Sequence, residues 1–295
     1  MAIDVKTLPG GVGAEVTGLD LSRPIDDATA ERLNAAWLEA AILVFPQVGT
    51  SIDAHLRLSR VFGELEVHPV PSIRLEGHDE IIELANRGET EQMVYRFDGE
   101  RIAGRIPWHT DMIYTPTPNR GALLRMVETP SAGGQTGWID TALAYDALPE
   151  AMKARIEGLE GRFNFVKDLR EMRFGKIWDV ELETFGNIEF PEFPDVAHPL
   201  VWTHPLSGRK SLSVSTVQLL DMVGMSRAEG DAILEELVAH TLDGRFTYVH
   251  DWAEGDMVLW DNWRTMHTAL GISPSDTRVV HRTTMPGGHQ MGRLL

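Results

Sequence analysis

Trp108-His109-Thr110-Asp111 sets an imidazole and a carboxylate two residues apart. On an extended segment, residues i and i+2 point to one face, so these two side chains stand together while Thr110 turns away. Two ligands leave most of a metal's coordination sphere open. His267, at the end of Trp260-Asp261-Asn262-Trp263-Arg264-Thr265-Met266-His267, is the candidate third. Two histidines and one carboxylate on one side of an octahedron form the ligand set of non-haem iron(II) oxygenases. For the four residues alone, a strand-end histidine beside an acid is the simpler account, since the chain carries 11 histidines. The rest of the chain has to decide.

The elements that would position such a site are mostly strands. Asp27 is a candidate N-cap for a helix with Leu33, Trp37 and Leu38 on one face, and Ile42-Leu43-Val44-Phe45 reads as a short buried strand. Thr50 or Ser51 opens a second helix that Gly63 closes, and Ser226-x-x-Glu229 is a capping box for a helix to about His240. Residues 72–107 are polar and irregular apart from a strand at Ile81-Ile82-Glu83-Leu84, and 89–105 has the composition of a loop or lid beside the metal pair. Residues 165–195 mix charges and aromatics without periodicity and read as an irregular insertion. Gly121–Val127, Trp138–Asp140, Arg245–Val249, Asp256–Trp260 and Thr277–Thr284 read as strands, and Val201-Trp202 and Ser211–Val214 as a hairpin turning at His204–Lys210. The distribution predicts a mainly β chain with peripheral helices, a β-sandwich or jelly roll, as one domain over 1–295 with insertions near 89–105 and 165–195.

Composition narrows the chemistry. With no cysteine, disulfides, thiolate-bound zinc, iron–sulfur clusters and thiol nucleophiles are excluded, and a metal must be held by His and carboxylate. A net charge of -17 argues against a general nucleic-acid binder, which needs a basic face. No apolar run near membrane length and no signal-peptide pattern is visible, so the expectation is a cytoplasmic protein without membrane association.

In the last long strand, period two puts Arg278, Val280, Arg282 and Thr284 on one face, 11 to 17 residues after His267. Two guanidiniums on one face call for an anion, and the planar arginine fork matches a carboxylate. An iron site that uses an α-keto acid needs such a cation at a fixed reach from the metal. Two arginines paired with local acids is the bland alternative, and proximity to the candidate ligand disfavours it.

These pieces together resemble the Fe(II)/2-oxoglutarate-dependent dioxygenases of the taurine dioxygenase and 2,4-D dioxygenase family. The matching segments are Arg60-x-Phe62-Gly63-x-Leu65, Trp108-His109-Thr110-Asp111, Gly133-Gly134-x-Thr136, Thr203-His204-Pro205-x-Ser207-Gly208, and Trp260-Asp261-Asn262 leading to His267, Arg278 and Arg282. They run in order over about residues 8–287. The resemblance implies a double-stranded β-helix (jelly roll), with His109, Asp111 and His267 as catalytic iron ligands and 2-oxoglutarate and O2 as cosubstrates. It implies that Thr136 and Arg278 hold the distal carboxylate of 2-oxoglutarate. Arg282 would lie at the metal-bound end and meet an anionic substrate group, and His68 matches a substrate-contacting histidine. It also implies a homo-oligomer, a dimer or larger.

For the substrate, the phrases Gly133–Gly137, Ala144–Leu148, Gly208–Leu212 and His250–Asp256 look nearest the aryloxyalkanoate-cleaving, (S)-phenoxypropionate branch, whereas His68-Pro69-Val70 looks more like the taurine branch. Arg105, where the taurine enzymes carry an asparagine, would suit a carboxylate or sulfonate, or a lid salt bridge. The expected substrate is a small organic anion, aryloxyalkanoate-like, with an alkylsulfonate as the alternative. Hydroxylating a carbon bonded to oxygen or sulfur would give an adduct that collapses to a phenol or to sulfite. Two rivals remain: a zinc hydrolase or binding protein with the same ligands, and a non-catalytic jelly-roll module. His204 and His281 are expected to be structural, Trp108 to pack beside the site, and Asp261 and Asn262 to fix the turn before His267.

Overall fold

The structure, a computed structural model, describes residues 3–68, 73–88, 94–184 and 191–295. Strands dominate it, with a few helices packed outside. The largest sheet has eight strands in the order Asp4–Thr7, Ala14–Thr17, Ile42–Phe45, Met257–Asp261, Gly121–Glu128, Thr277–Met285, His78–Arg87 and Arg74–Leu75. Its one parallel pair is Ala14–Thr17 with Ile42–Phe45. A four-stranded antiparallel sheet, in the order Thr247–His250, Thr136–Asp140, Thr265–Ala269 and Ile106–His109, faces it.

The space between these sheets is filled by Ile42, Val44, Ala122, Leu124, Met126, Val258, Trp260 and Val280 from the larger sheet and Trp138 from the smaller. Each large side chain so buried contributes about 1.5–3 kcal/mol. Period two within each strand sends these residues inward. The same alternation turns Leu43, Phe45, Leu123 and Leu259 to the opposite face, where they pack with Leu33 and Trp37 of the first helix and with Leu58 and Phe62. That helix, Asp27–Ala40, is capped by Asp26 rather than Asp27: the Asp26 carboxylate accepts the Thr29 N–H at 2.9 Å. Ser51 caps Ile52–Ser59, and Ser226 with Glu229 caps Arg227–Thr241, as the spacing predicts.

Two stretches are more ordered than their composition suggests. Residues 72–107 hold the ten-residue strand His78–Arg87, the hairpin Val94–Phe97 with Glu100–Ala103, and Ile106–His109. The stretch 165–195 is not wholly irregular. Val180–Thr184 pairs antiparallel with Val94–Phe97, making a three-stranded sheet over a cluster of Tyr95, Phe97, Leu169, Met172 and Val217. The remainder of both expected insertions, 89–93 and 185–190, lies outside the described residues. Among the described residues, no helix is long and apolar enough to cross a membrane.

Candidate active site

His109 and His267 are direct partners across the antiparallel pair Ile106–His109 and Thr265–Ala269. Opposite residues on neighbouring strands point to the same face, so their rings meet at 4.0 Å between centroids. Asp111 lies just beyond the strand end, where Met112 takes a left-handed backbone at φ 56°. A methionine there is strained by about 1–2 kcal/mol. This turn brings the Asp111 carboxylate between the two histidines. Its Oδ1 is 3.6 Å from His109 Nε2 and its Oδ2 is 3.7 Å from His267 Nε2. One atom from each of the three lies within 4.8 Å of the other two, a spacing that could hold one metal ion.

The protonation states suit a cation. The Nδ1–H of His109 donates to the Pro107 carbonyl at 2.8 Å, which leaves Nε2 bare toward Asp111. Burial, then the neighbouring His109, push the His267 imidazole well below its usual range, so it is neutral, as a ligand must be. Burial opposes the charge on Asp111, but Arg282 first and then His267 and His109 outweigh it and hold that carboxyl well below its ordinary range. His267 Nδ1 is buried without a partner among the described residues. Two imidazoles and a carboxylate, with no sulfur ligand, match Fe(II).

The backbone around Asp111 is fixed from outside the triad. Asn262 Oδ1 accepts the Asp111 N–H and Asn262 Nδ2 donates to the Asp111 carbonyl, both at 2.9 Å. Ser215 Oγ accepts the Thr110 N–H, and the Trp108 carbonyl takes the Thr216 hydroxyl. Trp108 packs its ring against Gly137. His204 is a turn residue, as expected, yet also a hydrogen-bond partner: its Nε2 donates to Asp261 Oδ2 at 2.9 Å in full burial. His281 is structural, accepting from Arg125 at 2.8 Å.

Both arginines of the last strand reach across to the smaller sheet. Arg282 donates to Asp111 Oδ2 at 2.5 Å, on the ligand carboxylate itself. Arg278 donates through Nε to the Gly134 carbonyl at 3.1 Å and through Nη2 to Thr136 Oγ1 at 3.4 Å. Burial pushes its guanidinium down to about 10. Gly134, at φ +76°, leaves room for it, since an added Cβ would stand 2.7 Å from Pro130 and 3.1 Å from Arg278.

The two expected substrate contacts, Arg105 and His68, have partners of their own. The Arg105 guanidinium is stacked between Phe97 at 4.6 Å and Trp178 at 4.2 Å in the small third sheet, with its Nε buried and unpaired among the described residues. The half-buried His68 gives its carbonyl to Arg74 at 2.6 Å. Two neighbours escape sequence reasoning. Trp252 donates its indole N–H to Thr136 at 3.0 Å, and Tyr114 lies beside Asp111 with its ring edge-on to Phe165 and Phe193. Burial and the Asp111 charge push the Tyr114 phenol up to about 12. The Tyr114 position, three residues past Asp111, offered a signal; Trp252 offered only its place in the His250–Asp256 phrase, which does not reveal a partner 116 residues away.

A family model described as the taurine catabolism dioxygenase TauD, TfdA family matches residues 4–284. A Sphingobium herbicidovorans (S)-phenoxypropionate/alpha-ketoglutarate-dioxygenase is 33% identical, over 97% of this chain and 96% of that protein. An alpha-ketoglutarate-dependent sulfate ester dioxygenase of Pseudomonas putida is 27% identical over 99% of this chain and 92% of its own length. The crystal structure of a taurine dioxygenase from Burkholderia xenovorans superimposes with a TM-score of 0.77 at 28% identity, covering all of this chain and 97% of that one. A family match over nearly the whole sequence, around a His-Asp-His cluster with an arginine pair beside it, leads to one assignment: the chain belongs to the TauD/TfdA family of Fe(II)- and 2-oxoglutarate-dependent dioxygenases.

Proposed function

We propose that His109, Asp111 and His267 hold the iron, that Arg278 and Thr136 hold the distal carboxylate of 2-oxoglutarate, and that the substrate is a small aryloxyalkanoate-type acid cleaved to a phenol and a keto acid. One observation carries the reading: three metal-competent side chains meet within 4.8 Å, and a buried guanidinium from the facing sheet rests on Thr136. A zinc hydrolase would share the ligands but has no use for that cation. The double-stranded β-helix is the reading of the two facing sheets that fits this placement. When bound, the iron and 2-oxoglutarate supply the oxidation of a substrate C–H bond by O2, with decarboxylation of the cosubstrate to succinate.

The protein's own part is placement and charge. Arg282 pairs with Asp111 in a buried setting and is the cation that would meet an incoming acid in this reading. Tyr114, which feels the Asp111 charge, packs edge-on with Phe165 and Phe193, and such an aromatic cluster suits an aryl group better than the short chain of an alkylsulfonate. His68 and Arg105 complete the proposed substrate contacts. For Arg105, binding an acid would exchange aromatic stacking for a charge-assisted pair. The similarity to an (S)-phenoxypropionate dioxygenase supports the aryl preference. A homo-oligomer belongs to the same reading and rests on the family resemblance; light scattering tests it.

The deciding experiment measures succinate formed from 2-oxoglutarate by protein loaded anaerobically with Fe(II) and then given O2. The panel contains phenoxyalkanoates, alkylsulfonates, sulfate esters and simple organic acids. Stimulation by phenoxyalkanoates, with phenol released, is expected. Stimulation confined to sulfonates, with sulfite released, would replace the substrate class, and no succinate with tight zinc binding would remove the oxygenase reading.

A further inference from the structure

Thr136 Oγ1 receives two hydrogen bonds from groups that can only donate: the indole Nε1–H of Trp252 at 3.0 Å and the guanidinium Nη2–H of Arg278 at 3.4 Å. A threonine hydroxyl has two acceptor lone pairs and one proton. With both lone pairs taken, the proton has to point away from both donors and be given to something else. We propose that Trp252 is a positioning residue for the cosubstrate, which fixes the Thr136 hydroxyl as a donor to the distal carboxylate of 2-oxoglutarate. This rests on the placement of that carboxylate at Arg278 and Thr136. Without the indole N–H, one lone pair is released, the hydroxyl can rotate, and an oxygen lone pair can face the carboxylate.

The rest of the local structure holds Trp252 for this role. His250 stands directly opposite Thr136 across the strand pair, so Trp252, two residues further on, can reach back over the same partner. Its ring is perpendicular to the His250 ring at 4.6 Å. The His250 ring is fixed at both nitrogens. Nδ1 is hydrogen-bonded to the Tyr248 hydroxyl at 2.7 Å, and Nε2 donates to Asp256 Oδ2 at 3.0 Å. Burial, then the nearby Asp256, push the Tyr248 phenol up to about 12, so it keeps its proton. Asp256 also accepts the Ala253 N–H at 2.8 Å, which pins the chain immediately after Trp252. A tryptophan kept only for packing would need none of this orientation of its N–H.

The test measures equilibrium binding of two 2-oxo acids to the Fe(II)-loaded protein without O2, by calorimetry. 2-Oxoglutarate has the distal carboxylate; 2-oxobutyrate lacks it. Trp252→Phe, which keeps a ring but removes the N–H, should weaken 2-oxoglutarate binding roughly three- to tenfold and leave 2-oxobutyrate unchanged. Thr136→Val should do the same. The double variant should be no worse than Thr136→Val alone, because both remove one coupled interaction. Equal weakening of both ligands by Trp252→Phe would show a packing role and overturn the proposal. So would unchanged 2-oxoglutarate binding in Trp252→Phe while Arg278→Ala loses it. If Arg278→Ala itself binds 2-oxoglutarate normally, the placement of the carboxylate fails first and the role of Trp252 goes with it. Should Trp252→Phe not fold, Thr136→Val against Thr136→Ser decides. Loss of the hydroxyl without selective loss of 2-oxoglutarate would be equally fatal.

Discussion

Asn262 grips the Asp111 peptide from both sides, accepting its N–H and donating to its carbonyl at 2.9 Å each. The same amide nitrogen also donates to the Asn119 carbonyl at 3.0 Å, which ties Asp111 to the buried entry of the Gly121–Glu128 strand. Asp111 is off the strand, so no ladder hydrogen bond holds it, and this side chain substitutes for one. Asn262→Ala should therefore weaken Fe(II) binding about 10- to 100-fold, the range for lost support behind a metal ligand. Affinity for 2-oxoglutarate at saturating metal should change far less. Anaerobic metal titration separates the two, and unchanged metal affinity would show that the strained turn at Met112 suffices alone.

Arg278 is the other fixed point. Its guanidinium is held by the Gly134 carbonyl and Thr136, and burial already lowers its pKa to about 10. A partner carboxylate would offset that desolvation, which neutral partners do only in part. Arg278→Ala should raise the 2-oxoglutarate dissociation constant about 10- to 100-fold, for a charge-assisted bond contributing about 1.5–3 kcal/mol. The primary substrate should bind as before. A fall only in primary-substrate affinity, read by substrate titration at saturating 2-oxoglutarate, would mean that Arg278 and Arg282 have exchanged roles.

What the chain discloses by itself follows from distance along it. His109, Asp111 and His267 could be named because each sits in a short local pattern, although Asp111 proves to lie past the strand end, where a turn rather than strand alternation aims its carboxylate. The Ser226–Glu229 cap and the turn at His204–Lys210 are equally local, and both are present. The strand Val180–Thr184 is different. Its partner Val94–Phe97 lies more than 80 residues earlier, and its alternating Val-Glu-Leu-Glu-Thr sequence is too short to name that partner. The hydrogen bond of His204 with Asp261 and the indole bond from Trp252 to Thr136 are likewise long-range contacts. Asp26 outcompetes Asp27 as N-cap because only its backbone is still extended, at φ -73° and ψ 156°.

A buried ion pair stabilises the frame on which the site is built. Arg264 and Asp140 meet through Nε–Oδ1 at 3.1 Å and Nη2–Oδ2 at 2.6 Å, with side chains 4% and 2% exposed. Arg264 also donates to the carbonyls of Leu38 and Glu39, at the end of the first helix. Asp140 caps the helix Thr141–Asp146 through the Ala142 N–H. Arg264→Leu should destabilise by about 3–5 kcal/mol, because it leaves a carboxylate buried without its cation. Combining it with Asp140→Asn, which keeps an N-cap but removes the charge, should recover part of that loss. Chemical denaturation of the two variants tests this; a double variant as unstable as the sum of the singles would show that the pair is not coupled.

Stability at mildly acidic pH should depend on His55. It is fully buried on the helix Ile52–Ser59, next to Ser59 and Thr283, with Arg125 and His281 as the charged or titratable neighbours. Burial first, then the positive charge of Arg125 and the coupling to His281, pushes its pKa down to about 3. The native imidazole thus stays neutral at pH values where the unfolded chain, near its ordinary 6.5, takes up a proton. Stability from this group is therefore complete above pH 6.5 and is lost as pH falls toward 3, at up to about 1.4 kcal/mol per pH unit. His281 is shifted in the same direction and adds to the trend. Between pH 7 and 5.5, wild type should lose about 1 kcal/mol more unfolding free energy than His55→Gln, which cannot titrate. Equal losses in urea denaturation at the two pH values would mean that His55 takes up its proton in the native state as well, with the Ser59–Thr283 contact opening to water.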